Sequence, residues 1–389
     1  MDDRRNESNG DTVTTVGVIG GGQLARMMIP AAISLGIDLK VLAEAEGMAA
    51  GLAASAVGDY RNRDVVLAFA ETVDVITFDH EHVPQEVLKA LVDRGIPVHP
   101  GPDALLFAQD KLLMRKRLSE LGLPVPEWAA VENVEQLADF LSQQGGRAVV
   151  KTARGGYDGK GVRVVTHEHD VDDWFTALAE DANGGALLVE ELVDFTRELA
   201  QVVARNPSGE IVAWPVVETV QRDGVCAEVI APAPRSAGKL ADVAGDIATR
   251  VAEGLGVTGV LAVELFETTD ERLLINELAM RPHNSGHWSI DGSTTSQFEQ
   301  HLRAVLDLPL GATAMRDPWS VMVNIFGGPS EGALIDRFPA ALEAHRSAKV
   351  HNYGKDSRPG RKMGHVTVGS DDLDDAAYEA RATAAFFQD

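Results

Sequence analysis

Residues 260–278 read VLAVELFETTDERLLINEL. Two apolar runs, 260–266 and 273–278, flank the polar link 268–272, which is the pattern of an antiparallel hairpin. Glu264 and Glu277 stand at equal distances from the 270–271 bond within that link. In a symmetric hairpin they face each other with side chains about 5 Å apart. Two carboxylates that close repel unless a cation lies between them. Oxygen ligands with open positions suit Mg2+ bridging the phosphates of ATP. The alternative is a pair of solvated glutamates on a wet face; the apolar strands around both favour the metal.

Immediately after the hairpin come Arg281-Pro282-His283-Asn284-Ser285-Gly286-His287-Trp288. The four-residue spacing of His283 and His287 would suit zinc on a helix, but Ser-Gly between them opposes a helix. A loop carrying arginine, histidine and asparagine is better suited to a small anion and a transferred carboxylate. Upstream, Lys151 ends a strand and Gly155-Gly156-Tyr157-Asp158-Gly159-Lys160-Gly161 follows it. Flexible backbone N–H groups beside lysines suit a polyphosphate. This is not a Walker A loop, because the lysine precedes the glycines and no helix follows. A plain glycine-rich turn is the other reading. Glu190-Glu191-Leu192-Val193 closes an apolar run and offers backbone groups to an adenine edge, with Glu198 beyond it for ribose hydroxyls. An acidic loop is the alternative there.

Lys355, Arg358, Arg361 and Lys362 surround Pro359-Gly360 and form a basic patch in an otherwise acidic chain. It suits a phosphate or carboxylate substrate, or else is a solvated loop. Near the start, Gly20-x-Gly22-x-x-Ala25 lies between a strand and a helix, and Glu44 ends the next strand. That is also the geometry of an NAD site, although many α/β domains turn on such glycines.

The chain has 389 residues, 45% of them hydrophobic, and a net charge of −24. The length fits about two or three domains. The acidity repels nucleic-acid backbones and anionic membranes, so no nucleic-acid or membrane partner is expected. Cys226 is the only cysteine. An intramolecular disulfide is impossible, a reducing cytoplasm is the natural compartment, and its apolar neighbours suggest a structural thiol. No apolar run is long enough to span a bilayer. Residues 1–14 read as a disordered leader, not a signal peptide. In 15–102, strands at 16–19, 38–42, 73–78 and 96–99 alternate with helices at 24–35 and 86–94, which predicts a parallel sheet. His99-Pro100-Gly101-Pro102 marks a boundary. Segment 103–312 reads as α+β, with a helix over 110–121 and strands at 148–151, 162–166, 187–191, 198–204 and 211–215. Segment 313–389 reads as a small β-rich domain with strands at 320–326 and 363–368. The fold class is thus α/β combined with α+β.

Together these motifs resemble the ATP-grasp superfamily, and within it the 5-(carboxyamino)imidazole ribonucleotide synthases. The resemblance runs from about residue 15 to 370. It is most specific at 21–27, 155–161, 276–288 and 358–365. It implies an ATP-grasp fold preceded by a parallel α/β domain. It also implies carboxylation of 5-aminoimidazole ribonucleotide by ATP and bicarbonate through carboxyphosphate, with Mg2+, in a homodimer. On this likeness Lys111, Lys151, the loop Gly156 to Gly161, Glu190 to Val193, Glu198, Asn276 and Glu277 hold ATP. Glu264 and Glu277 are the metal ligands. Gln23, Leu24, Glu81, Tyr157, Lys355, Arg358, Arg361 and Lys362 hold the ribonucleotide. Asp158, Arg281, His283, Asn284 and Lys362 surround the carboxyphosphate. The chain departs from the pattern at Gln221, where a histidine is common, and at His80 and His82 beside Glu81. The formate-using transformylase, another acyl-phosphate ligase, an NAD(P)-dependent oxidoreductase and a non-catalytic nucleotide-binding module are the competing readings.

Overall fold

A computed structural model describes residues 13–155, 161–180 and 185–388. Three sheets organise it. The first has four parallel strands in the order Ala54–Val57, Asp38–Ala43, Thr15–Ile19, Val75–Phe78. Helix Gln23–Leu35 follows its central strand. It buries Leu24, Ala25, Met28 and Ala32 on one face, and stops at Gly36, whose left-handed backbone (φ 69°) returns its N–H to Ala32 and Ile33. That termination is the one a glycine makes without steric cost.

The second sheet is antiparallel, in the order Trp128–Val131, Leu187–Glu191, Ala148–Thr152, Val162–Val165. The third runs Leu273–Ala279, Gly259–Thr268, Phe195–Arg205, Val217–Arg222, Val225–Ala231, Trp319–Phe326, Lys362–Ser370, Lys349–Asn352, with Ile211–Ala213 also paired to Phe195–Arg205. This one sheet crosses residues 312–313, so the last segment is joined to the middle one by continuous backbone hydrogen bonding between Val225–Ala231 and Trp319–Phe326.

Helix Lys111–Glu120 links the layers. Asp110 caps it, accepting from the N–H groups of Leu112 and Leu113 at 3.1 Å each; such a cap contributes about 1 kcal/mol. Its buried face is Met114, Arg115 and Leu118, an apolar stripe interrupted by a cation.

The parallel first sheet and the antiparallel middle agree with the sequence pattern. Residues 96–99 do not form a full strand: only Val98 makes a bridge, to Ile76. Ala54–Val57 joins the first sheet unannounced, because it is a mostly exposed edge strand with no apolar alternation. The breaker at 99–102 leads directly into helix Pro102–Gln109, with proline at its first turn. Residues 1–12 of the expected leader lie outside the described residues, as do Gly156, Tyr157, Asp158, Gly159 and Lys160. Among the described residues no helix is long and apolar enough to cross a membrane.

Candidate active site

The hairpin forms, and Glu264 faces Glu277 across it. The register is not that of a simple symmetric hairpin. Next to the turn Leu265 faces Ile275, and the register shifts between Glu264 and Leu265. Asn276 is the extra residue of a bulge; had the register next to the turn continued, Glu264 would face Asn276. A bulge re-aims side chains in this way next to active sites. Burial, Glu277 and Glu198 push the Glu264 carboxyl up to about 7. Lys111 bonds Glu277, and His283 Nε2 lies 3.4 Å from Glu264 Oε1. A carboxyl raised by burial and like charge is one that a bound cation would relieve. With open cleft beside the two oxygen donors, the pair fits Mg2+ carried on a polyphosphate.

Next to this pair lies a buried charge cluster. Lys151 Nζ is 2.7 Å from Glu190 Oε2 and 3.1 Å from Asn276 Oδ1. Arg115, fully buried, donates Nε to Glu190, Nη1 to the Ile275 carbonyl at 2.9 Å and Nη2 to the Asn276 carbonyl at 2.6 Å. Burial opposes the charge on Glu190, but Arg115 and Lys151 outweigh it and hold the carboxyl below its usual range. The Glu190 carboxylate is therefore occupied by two cations, while Glu191, Leu192 and Val193 continue along the cleft wall. Glu198 is raised by burial and bonded by Gln221, which places Gln221 on the same wall. Gly161 ends the glycine-rich loop in left-handed backbone, φ 72°.

The 281–288 loop closes the site. Arg281 Nε donates to Glu81 Oε2 at 2.8 Å, tying the loop to the first domain. His283 is pushed down to about 3 by burial, with Arg281 and Lys362 adding to it, so it is neutral near pH 7. Asn284 and Asn324 exchange reciprocal amide hydrogen bonds at 3.1 and 2.8 Å. His283 turns to Glu264 and Ser285, whereas His287 turns to Gln297, so the two rings do not converge on a zinc ion. Cys226 lines the cleft, but burial pushes its thiol up to about 12, leaving it uncharged as a structural thiol requires.

The first glycine loop departs from the dinucleotide reading. Gly22 and Ala25 donate their N–H groups to Asp79 at 2.7 and 2.9 Å, and Gly21 donates to Glu44 at 2.9 Å. A Cβ on Gly22 would lie 2.1 Å from Asp79 Oδ2. The anion favoured by this helix N-terminus is the protein's own carboxylate, and Glu44 is not left for a ribose. Gln23 and Leu24 instead face the cleft. Gln23 Oε1 accepts from Lys355 Nζ at 2.5 Å, which brings the two ends of the chain together. The basic segment divides. Lys362 lines the cleft, whereas Arg358 is exposed and Arg361 turns back on the loop, donating Nη1 to the Asp356 carbonyl at 3.2 Å.

Gln23, Glu81, Lys111, Lys151, Glu190, Glu198, Glu264, Glu277, Arg281, His283, Asn284 and Lys362 border one cleft of about 1120 Å³. The family model of the ATP-grasp domain matches residues 116–298. Those of the ribonucleotide synthetase preATP-grasp domain and the phosphoribosylaminoimidazole carboxylase C-terminal domain match 13–109 and 320–379. The N5-carboxyaminoimidazole ribonucleotide synthase of Mycobacterium tuberculosis is 51% identical over 361 residues, 92% of this chain and 84% of that protein. The chain belongs to the N5-carboxyaminoimidazole ribonucleotide synthase family. The Corynebacterium ammoniagenes synthase is 49% identical over 95% of this chain and 91% of its own. The Aspergillus clavatus synthase, solved with ADP and 5-aminoimidazole ribonucleotide, superposes with a TM-score of 0.85 at 31% identity. That match covers 96% of this chain and 98% of that one. As a member, the chain is an ATP-grasp ligase of purine biosynthesis, and the oxidoreductase and transformylase readings give way. Arg115, Gln297 and Asn324 are site residues that the sequence patterns do not mark.

Proposed function

We propose that the cleft carboxylates the amine of 5-aminoimidazole ribonucleotide at the expense of ATP, with bicarbonate as the carbon source. A bicarbonate oxygen attacks the γ-phosphorus and ADP leaves. The amine nitrogen then attacks the carboxyl carbon of carboxyphosphate, phosphate leaves, and the amine gives up a proton. The observation that carries this reading is the meeting, in one cleft, of a paired-glutamate hairpin with lysines 111 and 151 and the Arg281–His283–Asn284 loop. Glu264 and Glu277 would hold Mg2+, which offsets phosphate charge when bound. Arg281, fixed by Glu81, supplies a planar cation for the carboxyl and phosphoryl oxygens. His283, neutral, can hydrogen-bond there without supplying an acidic proton to the amine. The glycine-rich loop residues Tyr157 and Asp158 belong to the same proposal, as do a cytoplasmic location, a homodimer and the division at 102/103 and 312/313.

Labelled bicarbonate should enter an acid-labile product in the presence of ATP, Mg2+ and the ribonucleotide, and labelled formate should not. Incorporation of formate alone would move the activity to the transformylase.

The basic loop is assigned to the ribonucleotide on the same reading. Arg361→Ala should raise the ribonucleotide KM far more than the ATP KM, by the loss of one charge-assisted hydrogen bond of roughly 1.5–3 kcal/mol. Because Arg361 folds back onto Asp356 here, an unchanged ribonucleotide KM would mark it as a surface residue.

A further inference from the structure

The 281–288 loop rests on Gln297, the first residue of helix Gln297–Val305 and fully buried. Gln297 Oε1 accepts the His283 N–H at 2.8 Å, and its Nε2 donates to the His283 carbonyl at 2.8 Å. One amide thus answers both backbone groups of one residue, and flipping it would oppose donor to donor and acceptor to acceptor. Gly286 is needed for this approach, since a Cβ there would lie 2.4 Å from Gln297 Oε1.

The amide nitrogen is also 2.8 Å from His287 Nδ1. With the amide fixed, that contact is an N–H donated to a lone pair. His287 Nδ1 is therefore unprotonated, and the neutral ring carries its hydrogen on Nε2. Burial acts in the same direction, holding the ring well below its usual pKa. His287 packs against Phe298 and His365, with ring centroids 5.6 and 5.3 Å away, yet it borders the cleft. Among the described residues its Nε2 has no protein hydrogen-bond partner. It is also not one of the sealed, unpartnered polar atoms, as His365 Nε2 is.

We propose that His287 presents a neutral Nε2–H to an oxygen of the carboxyl group in transit, and that Gln297 is the positioning residue that sets this tautomer. This rests on the carboxylation reading above. A preorganised neutral donor stabilises developing negative charge on oxygen, and it brings no acidic proton that would quench the amine.

Two measurements test it. Nitrogen-15 spectra of histidine-labelled protein without substrate should show His287 as the Nε2–H tautomer. In Gln297→Glu, a carboxylate facing Nδ1 should move the proton to Nδ1 or give imidazolium. In kinetics, His287→Phe, which keeps a ring in the stack, should lower kcat/KM for bicarbonate about 10²-fold with the ATP KM within about twofold. His287→Gln, which restores an N–H near the Nε2 position, should recover part of the loss. A wild-type His287 protonated on Nδ1 overturns the role of Gln297, even if variants fold poorly. Normal bicarbonate turnover in His287→Phe overturns the contact. Failure of the carboxylation reading itself would show separately, as absence of label from bicarbonate in the unaltered enzyme.

Discussion

Glu277→Gln should slow ADP release by roughly 10²–10³-fold while the protein stays folded, because it removes a full charge from the metal pair and leaves its shape. Glu277 is half exposed and bonded to Lys111, so the apoprotein loses little by the change. Its partner gives a second check with a defined sign. Glu264 titrates at about 7 in the folded chain, raised above the ordinary 4.5 by burial and then by Glu277. The folded state thus holds this proton more tightly than the unfolded state. The stabilisation from Glu264 is present below pH 4.5 and is lost as pH rises through 7. Glu264→Gln mimics the protonated form. Without metal it should melt higher than the parent at pH 8, and the gap should close at pH 5. Adding Mg2+ with ATP should raise the melting temperature of the parent at pH 8 more than that of the variant. Near-normal ADP release from folded Glu277→Gln would remove the metal assignment.

The hairpin carrying these glutamates was legible because its two apolar runs and the polar link between them are local. Its bulge was not, since an extra residue at Asn276 changes pairing without changing the apolar pattern. Asp223-Gly224, between Val217–Arg222 and Val225–Ala231, is a turn signal that the sequence does carry. Both residues take positive φ, 52° and 74°, as a tight hairpin of that kind demands. The glycine loop at 20–22 shows the opposite failure. Its spacing is that of a phosphate cradle, but the anion it meets is Asp79, 57 residues from Gly22, and nothing local announces that partner. Gln297 and Asn324 escape notice for the same reason. Buried polar side chains answer to partners that only the tertiary fold assembles, and neither a glutamine in a polar stretch nor an asparagine in an apolar strand carries a signature of its partner.

Arg115 is the most consequential of these unmarked residues, and the cluster it shares sets the largest expected stability effect. Glu190 is 3% exposed and holds two cations, Arg115 and Lys151. Glu190→Gln removes the carboxylate bonded to both and should cost about 3–5 kcal/mol, as removing one partner from a buried ion pair does. Lys151 can shed its proton to escape, whereas a guanidinium cannot. The variant should therefore also bind ATP poorly, having lost the Lys151 charge. Arg115→Met alone leaves the Lys151–Glu190 pair intact, and its cost is set by the freed carbonyls of Ile275 and Asn276. Those carbonyls flank the bulge, so this variant should loosen the Glu264–Glu277 register and reduce turnover beyond its effect on folding. Combining Glu190→Gln with Arg115→Met removes the unneutralised arginine. The double variant should then be more stable than Glu190→Gln, a coupling opposite to simple addition. Chemical denaturation of the three variants decides it. Equal or greater loss in the double variant would show that the uncompensated arginine is not what Glu190 restrains.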